Sequence, residues 1–391
     1  MRLPFLMVLI AAGLLAGACS VLAGEEPVEV VVEEAVGEAD ASQVDGVDGE
    51  ETADAGDEAE TSVPISEPLA QVALEIELPP AMAAFVWAEE IGLPSSLAFS
   101  EDGRLWVGDL LGRIWTLRDR DGNGVAEERV LFAEGLTAVH GIAVENATTV
   151  YVSDRARVLK IEDLDGDGVG DRQTAILRNL PVGTHRNNEL LLTDDGRLLL
   201  TLGSTCDDCA ERSPLSAAIL ALDLSSSGLE IVASGLGNPF GLATTADGSL
   251  WVTDQQPDSR CGASDELNLL VEGGDYGWPY CEASRTAVRE ASAAAAALAP
   301  IARLGEHERP TGLTWLQSEI YPPELSGGFY VALSAAGRVV FAKHEITGRF
   351  RLREFAEGFA TPMDVAVGPD LALYVSDAGA GVIYRIGAPP E

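Results

Sequence analysis

The feature that most constrains this chain is a phrase that returns six times. SEDGRLWVGD (100–109), VENATTVYVSD (144–154), TDDGRLLLTLG (193–203), TADGSLWVTD (245–254), SGGFYVALS (326–334) and GPDLALYVSD (368–377) each set a turn before an apolar triplet. The triplets are centred on Trp106, Tyr151, Leu199, Trp251, Tyr330 and Tyr374. Continuous apolar triplets between turn residues suit strands buried on both faces. Ahead of most copies stands a second shared phrase: GLPSSLAF, GLTAVHGIAV, GLGNPFGLA, RPTGLTW and FATPMDVAV. Two such phrases begin at Gly92 and Gly135, a spacing that fits one four-stranded propeller blade. Six units over residues 75–391 therefore predict an all-β chain, a six-bladed β-propeller of four-stranded blades. A sandwich or a pair of barrels would leave the repeated phrases unexplained.

The region before the repeats has a different character. Residues 1–19 combine Arg2, an apolar run of secretory length and the sequence LAGAC, which reads as a lipoprotein-type export signal cleaved before Cys19, the residue that would take the lipid. An ordinary signal peptide is the alternative. Residues 20–74 are rich in Asp and Glu, and no Lys or Arg stands between Arg2 and Arg104. Such a composition predicts a disordered acidic tether holding the propeller off a membrane, in an extracytoplasmic setting. The formal net charge of -38 argues against nucleic acid as a partner.

Two loops carry oxygen ligands at metal-binding spacing. DRDGNGVAE offers Asp119, Asp121, Asn123 and Glu127, and DLDGDGVGD offers Asp163, Asp165, Asp167 and Asp171. Positions one, three, five and nine suit a hard cation such as calcium, although Val130 and Thr174 stand where an EF-hand has its bidentate Glu. We read both loops as structural; a solvated hairpin turn is the alternative. In an exported chain Cys206, Cys209, Cys261 and Cys281 point to two disulfides. Local pairing, Cys206 with Cys209 and Cys261 with Cys281, is the first choice among three connectivities, with a four-cysteine zinc site as the alternative.

GSTCDDC (203–209), GLGNPFGLA (235–243), SDELNLLVEGGDYGWPYC (264–281), GEHERPTGLTW (305–315) and MDVAVGPDLALYVSD (363–377) together resemble the glucose/sorbosone dehydrogenases. The resemblance runs from about Pro80 to Ile386. It implies an exported quinoprotein in which pyrroloquinoline quinone (PQQ) and calcium lie over the central channel. A sugar is oxidised there and electrons pass to an external acceptor. The family's general base aligns with His185. Arg104 and Asn238 align with cofactor-binding positions, and Gln256 and Pro257 with those whose carbonyls hold calcium. The pattern departs from the family at Gly237, Ala336 and Thr361, where the family has cations, and at Thr184, where it has an acid. A non-catalytic propeller that binds glycan or protein at the cell surface is a second reading. A calcium-dependent, lactonase-like hydrolase is a third.

Overall fold

The computed structural model describes residues 27–31, 76–80, 82–207, 209–256, 264–279, 297–345 and 350–387. Cys19, Pro257, Cys261 and Cys281 lie outside them, as do the expected export signal and most of the expected tether. Among the described residues no helix is long and apolar enough to cross a membrane.

Six sheets, each built on an antiparallel meander, form the expected propeller, and the short strand Gly274–Asp275 adds in parallel to the edge of the third. Its innermost strands are Pro94–Phe99, Val139–Asn146, Asn187–Leu192, Asn238–Thr244, Pro310–Leu316 and Pro362–Val367, and each packs on the next to close a ring. We number the blades one to six in that order. The shared upstream phrase forms the innermost strand, and the apolar triplet forms the second. Three of the turns between them repeat the same bonds. The hydroxyls of Ser100, Thr193 and Thr245 donate to Asp102, Asp195 and Asp247, and the glycine that follows each acid has positive φ.

The ring is closed by the chain's beginning. Ala83–Ala88 pairs with Val382–Gly387 and becomes the outermost strand of blade six. The apolar core is divided into wedges between neighbouring blades. Trp106 of blade one, for example, is fully buried, lies edge-on to Phe132 at 4.6 Å and packs with Val150 and Leu159 of blade two.

An innermost strand has no β partner on its channel side, so bonds across blades must replace one. Hydroxyls of Ser95, Ser153, Thr201, Thr253 and Thr311 donate to the carbonyls of Val139, Asn188, Phe240, Thr311 and Pro362, each in the next blade. The amide of Leu97 donates to Asp364 Oδ2 at 2.7 Å and completes the circuit from blade six to blade one. The terminal Asp of the repeated phrase serves the same end. Asp254 accepts from the amides of Gly237 and Asn238, and Asp377 from those of Ala360 and Thr361, which fixes the entry to each inner strand.

Within the acidic stretch 20–74, Glu29–Val30 pairs with Arg178 and Leu177 on the outer edge of blade two, and Val28 and Val30 pack against that blade's apolar wedge. The stretch's run of valines supplies β-branched residues to an edge that can accept another strand, which the acidic composition around it conceals.

Candidate functional site

The inner strands share one register. Pro94, Val139, Asn187, Pro239, Pro310 and Pro362 each pair with the last residues of their second strand, so they stand at one level of the channel. The residues just before them form the channel mouth: Leu93, Ala138, Arg186, Asn238, Arg309 and Thr361. Three consecutive blades thus present Arg186, Asn238 and Arg309 side by side, with His185 one residue further out. Neither arginine has an ion pair among the described residues, in a chain whose net charge is -38.

His185 is held by its backbone. Its amide donates to Ser204 O at 3.2 Å, and Gly203 N donates to Arg186 O at 2.9 Å. A Cβ on Gly203 would lie 2.5 Å from His185 Cβ and 2.6 Å from Asn238 Oδ1, so only glycine lets the two side chains come this close. The ring Nε2 lies 3.1 Å from Asp207 Oδ1. Burial holds the His185 pKa below the usual histidine range, helped by Arg309, while Asp207 and Glu211 oppose the shift. A histidine neutral at pH 7 and held by a carboxylate has the properties of a general base.

Asn238 accepts from Asn188 Nδ2 at 2.9 Å through Oδ1 and donates to Gln255 Oε1 at 3.0 Å. Gln256 donates through Nε2 to Asp254 Oδ2 at 2.7 Å, and its amide donates to Asp265 Oδ1. Asp265 also receives the amides of Glu308 and Arg309, so the acid of the DELN motif fixes the loop that carries Arg309.

Deeper in the channel lie further titratable groups. His140 of blade two faces Phe240 of blade four at 6.2 Å, an approach made across the channel because blade three lies between them in sequence. Burial, reinforced by Arg186, pushes His140 down to about 4. One level below, buried Glu189 and Asp364 come from the opposite blades three and six. Burial pushes Asp364 up to about 7 and raises Glu189, whose shift Asp364 increases. Their oxygens take backbone amides: Leu190 donates to Glu189, and Leu97 and Val365 donate to Asp364. Both carboxyls thus bond the backbone of inner strands.

The structure gathers His185 and Asn238, with Gln256 close by, but leaves Arg104 elsewhere. That arginine immediately precedes the second strand of blade one, pairs with Asp102 and donates to Ala147 O, in a turn at the opposite end of the channel from His185. The physical reason is the hairpin itself: a residue following an Asp-Gly turn stands where inner strands finish. Arg338, another cation near the fifth-blade departure, is paired with Glu308 and Glu354. Cys206 and Cys209 form a disulfide, which takes both sulfurs out of any zinc site.

The two acidic loops are hairpins between third and outermost strands, also at the end away from His185. Their hydrogen bonds match residue for residue. Asp119 accepts from Gly122 and Gly124 as Asp163 does from Gly166 and Gly168, and Glu127 and Asp171 cap the amides of Arg120 and Leu164. In each loop three carboxylates come within 4.8 Å of one another: Asp119, Asp121 and Glu127, and Asp163, Asp165 and Asp171. Asn123 and Asp167 cap the amides of Val125 and Val169. Ala126 N donates to Trp87 O and Gly170 N to Phe132 O, so each loop is tied to the preceding blade.

A family model described as "Domain of unknown function (DUF7133)" matches residues 71–307. Over 45 residues the chain is 51% identical to quinoprotein glucose dehydrogenase B of Acinetobacter calcoaceticus, a match that covers 12% of this chain and only 9% of that protein. Among solved structures, the calcium structure of the Trichoderma reesei Carbohydrate-Active Enzymes Family AA12 protein superposes with a TM-score of 0.70 at 16% identity, covering 82% of this chain and 98% of that one. The holo form of the pyranose dehydrogenase PQQ domain from Coprinopsis cinerea superposes with a TM-score of 0.69 at 14% identity, covering 81% and 98%. At these identities the likeness establishes a shared propeller fold.

Proposed function

The chain belongs to the family described as Domain of unknown function (DUF7133), and from its site we propose that it is a PQQ-dependent dehydrogenase that oxidises an aldose or related sugar at the channel mouth. The observation that carries this reading is the convergence at the channel mouth of a carboxylate-held histidine, its pKa lowered by burial, with Asn238 and two arginines that have no ion pair among the described residues.

The donor set fits the group. PQQ carries three carboxylates, and Arg186 and Arg309 supply cations where Gly237, Ala336 and Thr361 do not. Asn238 and Gln255 offer amide contacts, and the carbonyls of Gln256 and Pro257 are the proposed calcium ligands. When bound, the quinone supplies the two-electron acceptor. His185 removes the proton from the sugar's anomeric hydroxyl, and Asp207 steadies the imidazolium that results. Electrons leave to an external acceptor. In this reading the enzyme is exported and held at a membrane through a lipid on Cys19, as the sequence of residues 1–19 supports.

Reconstitution with PQQ and calcium, followed by dye reduction across an aldose panel, tests the reading. Sugar-dependent turnover that requires the quinone is expected, and no turnover with any sugar would contradict it. Arg186→Gln and Arg309→Gln should each weaken PQQ binding by about tenfold, close to 1.4 kcal/mol. The trimethyl ester of PQQ, which lacks the carboxylate charges, should bind all three proteins alike.

The acidic loops are read as calcium-binding braces between blades. Clustered carboxylates without a cation repel, and burial together with Glu127 and Asp121 raises the pKa of Asp119. Chelation should lower the thermal midpoint by about 2–5 °C. The variant Asp163→Asn/Asp165→Asn should have a lowered midpoint already and respond less to the chelator. A midpoint unmoved by calcium or chelator would make these loops simple hairpin turns.

A further inference from the structure

The Cys206–Cys209 disulfide lies in the connection between the second and third strands of blade three, next to the proposed base but outside the roles assigned so far. The residues just before the bridge are paired with the base's own backbone: Thr184 N donates to Thr205 O at 3.0 Å and His185 N to Ser204 O at 3.2 Å. Those just after it are anchored as well. Glu211 accepts Thr205 N at 3.0 Å and Thr205 Oγ1 at 2.7 Å, and Trp278 Nε1 donates to it at 3.4 Å. Between these anchors the bridge joins Cα atoms 6.0 Å apart, and Asp207 sits inside the small ring it closes.

Asp207 is half exposed, so packing alone does not fix its carboxylate. The bridge constrains the backbone that carries this carboxylate to within 3.1 Å of His185 Nε2. We propose that the Cys206–Cys209 bridge is a positioning clamp: it holds Asp207 against His185 and thereby sets the basicity and the tautomer of that ring. An ionised Asp207 can only accept, so the shared proton sits on Nε2 and the lone pair is left on Nδ1. Opening the bridge to two thiols frees the Cys206–Cys209 loop, removes a nearby negative charge from the ring and leaves His185 a weaker base.

The groups facing His185 are Asp207 and Glu211, which favour its protonation, and Arg309, which opposes it; Arg186 is its chain neighbour. Of these, only Asp207 lies within the bridged loop. The clamp's effect on turnover rests on the proposed base role of His185, but its effect on the ring's titration does not.

The test is NMR titration of the histidine rings in the full-length protein, with His185 assigned by its loss in His185→Asn. Four samples are compared: oxidised wild type, wild type reduced by dithiothreitol, Cys206→Ser/Cys209→Ser, and Asp207→Asn. The double serine variant separates this bridge from the other cysteines. The last three should show the His185 midpoint lowered by about half a pH unit or more, with His140, His307 and His344 moving less. Reducing Asp207→Asn should add nothing. The proposal is overturned if opening the bridge leaves the midpoint in place while Asp207→Asn lowers it, or if reduction still shifts it in Asp207→Asn. If the titration behaves as expected but His185→Asn keeps full turnover, the base assignment fails and the clamp stands.

Discussion

Replacing His185 with asparagine is expected to lower kcat for sugar oxidation by about a hundred- to ten-thousand-fold, the range that a positioned general base contributes. Asparagine is close to imidazole in size and keeps a polar side chain beside Gly203, but it cannot take a proton. The Michaelis constant and the affinity for PQQ should change far less, because Arg186, Arg309 and Asn238 remain. In the wild type, turnover should rise with pH as His185 loses its proton. The midpoint should lie below the ordinary histidine range, since burial depresses the folded pKa. A variant that retained wild-type kcat would remove His185 from the chemistry, whatever PQQ does.

The second large effect concerns stability. Glu189 and Asp364 are buried carboxyls without a cationic partner among the described residues, and burial raises both. A group whose folded pKa is raised holds its proton more tightly in the native state than in the unfolded chain. Native stability is therefore favoured at acid pH and falls as pH climbs from about 4 through about 7, the Asp364 value. The fall from this pair should be about 3 kcal/mol between pH 5 and 8. Asp364→Asn should make the dependence shallower, and adding Glu189→Gln should remove most of it. At pH 5 the single variant should be less stable than wild type by about 1 kcal/mol, because one of the Leu97 and Val365 amides loses its acceptor. Near pH 8 the order should reverse. Denaturant melts that stayed parallel across this range would show that the pair does not titrate as its burial requires.

Much of the fold was legible because a propeller repeats its local problem six times. One phrase builds the innermost strand, the other the second strand, and the turn chemistry between them recurs at Ser100, Thr193 and Thr245. The edge strand Glu29–Val30 escaped notice because two residues of pairing carry no period. The site was legible only in part. His185 and Asn238 could be located because one stands just before a repeated inner strand and the other opens one. Arg104 lies at the other end of the channel, because similarity in sequence does not say which end of a hairpin a residue occupies. Asp207 and Arg309 were missed because their importance is spatial. One reaches His185 from a loop 22 residues away, and the other is brought level with Arg186 only when six strands close a ring. The Glu189 and Asp364 pair lies on opposite blades, a relation that no local pattern reveals.

The central claim is that this channel mouth binds PQQ, and calorimetric titration of the quinone into the full-length, calcium-loaded protein tests it most directly. The account predicts saturable one-to-one binding with a Kd below about 10 μM, weakened in Arg186→Gln and Arg309→Gln. Absence of binding at every concentration up to high micromolar quinone would contradict it and leave a propeller whose partners must be sought among glycans and proteins at the cell surface.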